Sequence, residues 1–203
     1  MMPQNPDPAR TLRIIPRAAA LKLSSEDAPF RARWGGPTPR IRVRGRLTEV
    51  GYTLPARLRA LATRHSRLAL TLDRRLPLAI EIAGGVSGLR ADLRELDLRE
   101  LTVSGGASDV AVELPTPRRE LTVRIEGGAS RVTVRRPAGV PVSVEIEGGA
   151  SGLAIDGERL GPLGGRVRAQ ATGDGPAIRL RVAGGASELS VEGAAVRELA
   201  YVV

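Results

Sequence analysis

A four-residue motif recurs five times in this chain, and it constrains the fold more than any other feature. The copies are Gly84-Gly85-Val86-Ser87, Gly105-Gly106-Ala107-Ser108, Gly127-Gly128-Ala129-Ser130, Gly148-Gly149-Ala150-Ser151 and Gly184-Gly185-Ala186-Ser187. Their first glycines lie 21, 22, 21 and 36 residues apart. A fixed period of this length marks an architecture made by stacking one small unit. The flanks keep phase with the motif. Ile82, Val103, Ile125, Ile146 and Val182 stand two residues before the glycine pair, and Ile80, Leu101, Val123, Val144 and Leu180 four before. Leu89, Val110, Val132, Leu153 and Leu189 follow the first glycine by five residues; Ala91, Val112, Val134, Ile155 and Val191 follow by seven. Apolar and polar residues therefore alternate on both sides of the motif, the period-two signature of half-buried strands.

Each period reads as strand, small-residue corner, strand and a turn such as Arg136-Pro137-Ala138-Gly139. The expected fold is all-β: a single-domain β-solenoid of 21–22-residue coils stacked through parallel ladders around an aligned apolar interior. Gly84, Gly85, Gly105, Gly106, Gly127, Gly128, Gly148, Gly149, Gly184 and Gly185 are its structural corners, because glycine tolerates positive φ and lets backbones approach closely. Ser87, Ser108, Ser130, Ser151 and Ser187 should then form a ladder along one edge. An antiparallel sandwich whose hairpins share a turn motif is the competing arrangement. It accounts for the turns but less naturally for the fixed phase of the flanks. Leu89, Leu93, Leu96 and Leu101 have partly helical spacing, yet Leu101-Thr102-Val103 keeps the repeat register, so this stretch reads as strand–turn–strand. The longest gap leaves room for an insertion or an irregular extra coil.

The first ten residues contain three prolines and no periodicity, and are expected to be disordered, as are parts of the Gly-rich stretch 157–177. Residues 11–75 read as degenerate, basic β coils, since terminal repeats are commonly atypical. Within them, residues 55–72 allow a short helix or an alternating strand. Residues 76–203 form the regular solenoid, and 11–203 one continuous domain.

Aromatic residues make up only 2%, so Val, Leu, Ile and Ala must fill the core. Without cysteine there are no disulfides, no Cys-ligated zinc and no thiol nucleophile. His65 is the only histidine, which excludes multi-His metal sites. The N-terminus has no long apolar stretch of the signal-peptide kind, and no apolar run approaches the length that spans a bilayer. These absences suggest a cytoplasmic chain. The net charge of +9 is lopsided: 16 of the 31 basic residues but only 5 of the 22 acidic ones fall in residues 1–75. Such asymmetry hints at an anionic partner. A skew toward arginine, with Lys22 the sole lysine, equally fits a GC-rich coding sequence.

The segments GGASDVAVELP, GGASRVTVRRPAGVPVSVEIEGGASGLAIDG and VAGGASELSVEG resemble bacterial toast-rack β-solenoid domains of the adhesin-like type, including the C-terminal domains of cell-envelope stress-response proteins. The resemblance covers residues 76–203 well and 11–75 loosely. It implies the solenoid fold and a sensing or scaffolding role beside a membrane. Bactofilins, soluble solenoids that stack end to end into filaments, are an analogy of architecture alone.

Catalytic chemistry is hard to find. A phosphate-binding loop needs Gly-rich amides leading into a helix with a lysine behind; here every Gly-Gly runs into a strand, and no lysine follows. The serines have no recurring base beside them. Glu81, Glu126, Glu145, Glu147 and Glu188 stand at outward phases next to Arg124, Arg131 and Arg181, which suits cross-strand ion pairs on a solvated face. Arg40, Arg42, Arg44 and Arg46 alternate, so a strand would project all four to one side as a candidate anion-binding stripe, with Phe30 and Trp34 near enough to stack on bases. The same stripe could be merely the solvent face of a strand whose inward residues are Ile41 and Val43. The sequence thus predicts no enzyme, cofactor or metal. It points to a scaffolding module that contacts a protein partner or copies of itself, with nucleic acid or an anionic membrane surface as the alternative. The C-terminal residues Ala200–Val203 could cap the last coil or dock on a neighbour.

Overall fold

The computed structural model describes residues 9–16, 20–52 and 67–193. Among these residues there are nineteen strands and no helix. The basic half contributes β1 (Arg10–Ile15), β2 (Ala20–Glu26), β3 (Arg31–Gly35), β4 (Arg40–Arg44), β5 (Leu47–Gly51) and β6 (Arg67–Asp73). The motif-bearing part begins with β7 (Leu78–Ile82), β8 (Val86–Ser87), β9 (Leu89–Asp92), β10 (Leu98–Val103), β11 (Ala107–Glu113), β12 (Leu121–Ile125) and β13 (Ala129–Arg136). It continues through β14 (Val142–Ile146), β15 (Ala150–Ile155), β16 (Glu158–Leu160), β17 (Val167–Ala171), β18 (Ile178–Val182) and β19 (Ala186–Gly193).

Two sheets face each other. One runs β17-β14-β18-β12-β10-β7-β1-β5-β4 and the other β16-β15-β19-β13-β11-β9-β2-β6-β3. A strand of the first sheet, its corner and a strand of the second make one rung, and rungs pair with their neighbours in parallel. All four flanking sets read from the sequence point inward and are buried, Ile82, Val123, Leu153 and Val191 among them. Removing such a side chain from water stabilises the fold by roughly 1.5–3 kcal/mol, which is how a core nearly free of aromatics holds. The leucine-rich stretch is strand–turn–strand, with Leu93 and Leu96 buried at the turn between β9 and β10.

The rungs are not stacked in chain order, as a simple solenoid would have them. At one end β1–β2 lies inside β5–β6, and at the other β18–β19 lies between β12–β13 and β14–β15. Read from either terminus the path is the same: an inner rung, two antiparallel end strands, then the outer rung. The end strands are β3 and β4 on one side, β16 and β17 on the other. Two expectations change as a result. The stretch 157–177, expected to be disordered in parts, holds β16 and β17, which close the far end of both sheets. The first strand also starts at Arg10, inside the segment expected to be disordered. Residues 1–8, the ambiguous stretch before Arg67, His65 and Ala200–Val203 lie outside the described residues.

Candidate interaction surface

The corners are stacked in the order Gly84-Gly85, Gly105-Gly106, Gly127-Gly128, Gly184-Gly185, Gly148-Gly149. Close approach, more than positive φ, is what demands glycine. A Cβ on Gly105, Gly127, Gly184 or Gly148 would lie 2.5, 2.6, 2.7 or 2.6 Å from the backbone nitrogen of the adjacent rung's second glycine. Positive φ occurs only at the terminal members, Gly84 and Gly149. The serines do form one ladder, in the order Ser87, Ser108, Ser130, Ser187, Ser151. The residue after each serine is left-handed in all five copies: Gly88, Asp109, Arg131, Glu188 and Gly152. Non-glycine residues in this region carry about 1 kcal/mol or more of strain. Glycine at two of the five copies was the sequence signal for this kink, and it went unread. The kink brings Arg131 Nε within 2.6 Å of Asp109 Oδ1 on the next rung. The corners and serines are therefore packing elements.

The outer face of the first sheet carries one continuous row of paired positions, from edge to edge: Arg42, Glu49, Arg13, Glu81, Thr102, Arg124, Arg181, Glu145 and Arg168. Arg42 Nη1 lies 3.8 Å from Glu49, and Arg13 Nε 3.4 Å from Glu81. Glu145 receives Arg168 at 3.0 Å and Arg181 at 3.6 Å. Glu147 pairs with Arg166 at 3.3 Å. These outward carboxylates thus sit in exposed ion pairs, each of modest individual worth. Among the described residues no group of three or more His, Cys, Asp or Glu could hold a metal ion, and no helix is long and apolar enough to cross a membrane.

The ion pairs set a pH dependence. Hydrogen bonds from Arg75, Arg94, Arg131 and Arg168 hold the carboxyls of Asp73, Asp92, Asp109 and Glu145, respectively, below their ordinary ranges. Folded-state values that are depressed contribute stability above the unfolded value, about 4, and lose it as pH falls through the folded value. The melting temperature is expected to hold from neutral pH down to the ordinary carboxylate range, about 4, and to fall progressively as the pH drops below it. High salt should shrink the difference, because the pairs are exposed. A melting temperature that rises on acidification would contradict this assignment.

Arg40, Arg42 and Arg44 do alternate on one face of β4, which among the described residues is an edge strand paired only with β5. Arg46 belongs to the turn after the strand, where its carbonyl accepts the Thr11 N–H at 2.9 Å. The four-residue stripe is therefore three residues long. Arg31 and Arg33 lie on the outer face of β3, in the opposite sheet, so the basic half does not present one continuous positive track. Ile41 and Val43 pair with Val50 and Thr48 and take the inward phase, yet they are 40% and 67% exposed. Trp34, opposite the buried Leu68 on β3, also faces inward and is 46% exposed. Three of the four exposed large hydrophobics thus gather at the β3/β4 end; the fourth, Leu163, is at the other end. Alternation alone marks Ile41 and Val43 as ordinary inward residues; their exposure follows from the position of β4 as the last described strand of its sheet.

This geometry defines a class: an all-β stack of two sheets with parallel rungs and antiparallel ends. Residues 56–135 match the family described as the N-terminal domain of toast_rack, DUF2154. Over that stretch, which is less than half of its length, the chain is similar to the toast-rack type. The crystal structure of a "putative cell adhesion protein" from Clostridium sporogenes superposes with a TM-score of 0.63 at 17% identity, over 91% of this chain and 93% of that one. At that identity the likeness is one of fold. No curated protein matches the chain in sequence.

Proposed function

We propose that the chain is a non-enzymatic protein-interaction module, a stiff stack that presents its β3/β4 end to another protein. The observation that carries this reading is that three of the four exposed large hydrophobics among the described residues, Trp34, Ile41 and Val43, stand at that end. An exposed apolar patch with a polar rim marks an interaction site, and the rim here is Arg31, Arg33, Arg40 and Arg44. The toast-rack resemblance and the adhesion-protein fold support a role in holding proteins together at the cell envelope. Self-assembly through the sheet edges fits less well. All four end strands bear arginine on their outer faces (Arg31 and Arg33, Arg40 to Arg44, Arg159, Arg168), and none bears an outward carboxylate. Copies stacked edge to edge would set like charges opposite each other. Anion binding by the basic half is weakened by the split of its arginines between two faces.

Light scattering is expected to show a 21.4 kDa monomer at low and high salt. Immobilised chain should retain a cellular protein that the Trp34→Ser, Val43→Ser double variant releases, and that protein, once purified, should bind the wild type directly. Equal retention by both chains sinks the proposal. A salt-resistant assembly of the chain alone replaces it with self-association, and binding to short DNA or anionic vesicles that Arg40→Glu, Arg44→Glu abolishes replaces it with anion recognition.

A further inference from the structure

We propose that the free edge of β4 receives an extended strand from a protein partner, and that the strand it selects alternates carboxylates with apolar residues. This rests on the interaction reading above and specifies the chemistry of the partner. An edge strand offers unpaired N–H and C=O groups to an added strand, and among the described residues β4 is paired on one side only. Its two faces then dictate what the added strand must carry, since residues opposite each other across a ladder share a face.

On the outer face the added strand meets Arg40, Arg42 and Arg44. Each alternate position there needs an acid. The charge row crossing the sheet makes the same demand: it reads Arg13, Glu49, Arg42 toward this edge and stops on a cation. The next member of the pattern is a carboxylate that no described strand of this chain supplies. On the inner face the added strand meets Ile41 and Val43, which no other strand among the described residues covers from that side, and Trp34 takes the same inward phase on β3, the end strand of the opposite sheet. Alternate positions there need apolar side chains, whose burial supplies affinity while the arginines supply selection. The described edge strands of a second copy do not meet the requirement. Its edge strands β3, β4 and β17 carry arginine or glutamine outward, and β16 carries Arg159.

The test uses fluorescein-labelled peptides of alternating Glu and Val, alternating Lys and Val, and the Glu/Val peptide interrupted by proline, each titrated into the full chain by fluorescence anisotropy. The Glu/Val peptide alone should bind, more weakly as salt rises, and should slow hydrogen exchange of amides in β4. Arg40→Glu, Arg42→Glu, Arg44→Glu should weaken it at least tenfold and transfer binding to the Lys/Val peptide. Should that triple variant fail to fold, Arg44→Glu, whose residue faces Leu47, should weaken the Glu/Val peptide about threefold. Equal binding of the proline-interrupted peptide, indifference to the charge swap, or no binding of the Glu/Val peptide overturns the inference. If the Trp34, Val43 variant still releases a partner while the peptide does not bind, the strand-addition inference alone has failed and the interaction reading stands.

Discussion

Gly127→Ala is expected to destabilise the fold by about 3 kcal/mol or more, whereas Gly128→Ala, one residue along, should cost about 1 kcal/mol or less. Both glycines sit in the central corner, and the difference lies in what a methyl group would meet. At Gly127 it would lie 2.6 Å from Gly106 N, 2.7 Å from Gly105 C and 2.9 Å from Gly106 Cα. All three atoms are backbone of the adjacent rung, to which Gly127 N donates a hydrogen bond at Gly105 O, 3.1 Å away. Nothing there can swing aside; relief requires parting the rungs and losing corner hydrogen bonds. At Gly128 the methyl group would lie 3.3 Å from Gly185 O and touch nothing else within 4 Å. A shift of a few tenths of an ångström accommodates it. Chemical denaturation of the two variants measures the contrast, and comparable losses would show that corner spacing is not what fixes the first glycine.

The second large effect is expected at Arg136, the only buried charged residue among those described, 4% exposed. Its Nη1 donates to Val140 O at 2.6 Å, and its Nη2 to Asp156. Asp156 in turn accepts the Gly193 N–H at 2.6 Å. One guanidinium thereby ties the end of β13 to the Pro137–Val140 turn, the end of β15 and the end of β19. Arg136→Met keeps the length of the stem but leaves Val140 O without its donor and Asp156 with the Gly193 N–H alone. Removing one partner from a buried pair costs about 3–5 kcal/mol in general, and the partial exposure of Asp156, 40%, lowers the expectation to about 2–3 kcal/mol. Thermal unfolding of Arg136→Met and of Arg136→Met, Asp156→Ala checks this. The double variant should recover part of the loss, because it removes the stranded carboxylate. A single-variant loss under about 0.5 kcal/mol would mean that the tie is ornamental.

The apolar positions, the corners and the serine ladder were legible because they are local: phase relative to the motif decides which side a residue faces, and every rung repeats it. The order of the rungs was not legible. Ile14 on β1 and Val182 on β18 look alike to a periodicity argument, and nothing in their spacing says that β1 lies between β5 and β7 or β18 between β12 and β14. The surface followed the same rule. Alternation put Arg40, Arg42 and Arg44 on one face, but whether Ile41 and Val43 would be covered depended on a neighbouring strand, and none stands on that side among the described residues. Charge pairing such as Glu145 with Arg168 and Arg181 likewise joins residues whose adjacency exists only once the last rung is in place.

The shared path at both ends limits how such a rod can change size. Because the first and last rungs are threaded inside their outer neighbours, a repeat appended to either terminus finds no tip to grow from. Extra length must enter the middle, among β7 to β13, where rungs follow chain order and a duplicated unit can slip in with its corner glycines already matched. The same threading bears on synthesis: β12–β13 and β14–β15 emerge before the rung that separates them, so their correct spacing is settled only when Ile178–Gly193 arrives. Growth by central duplication and completion by a late wedge are two faces of one topology.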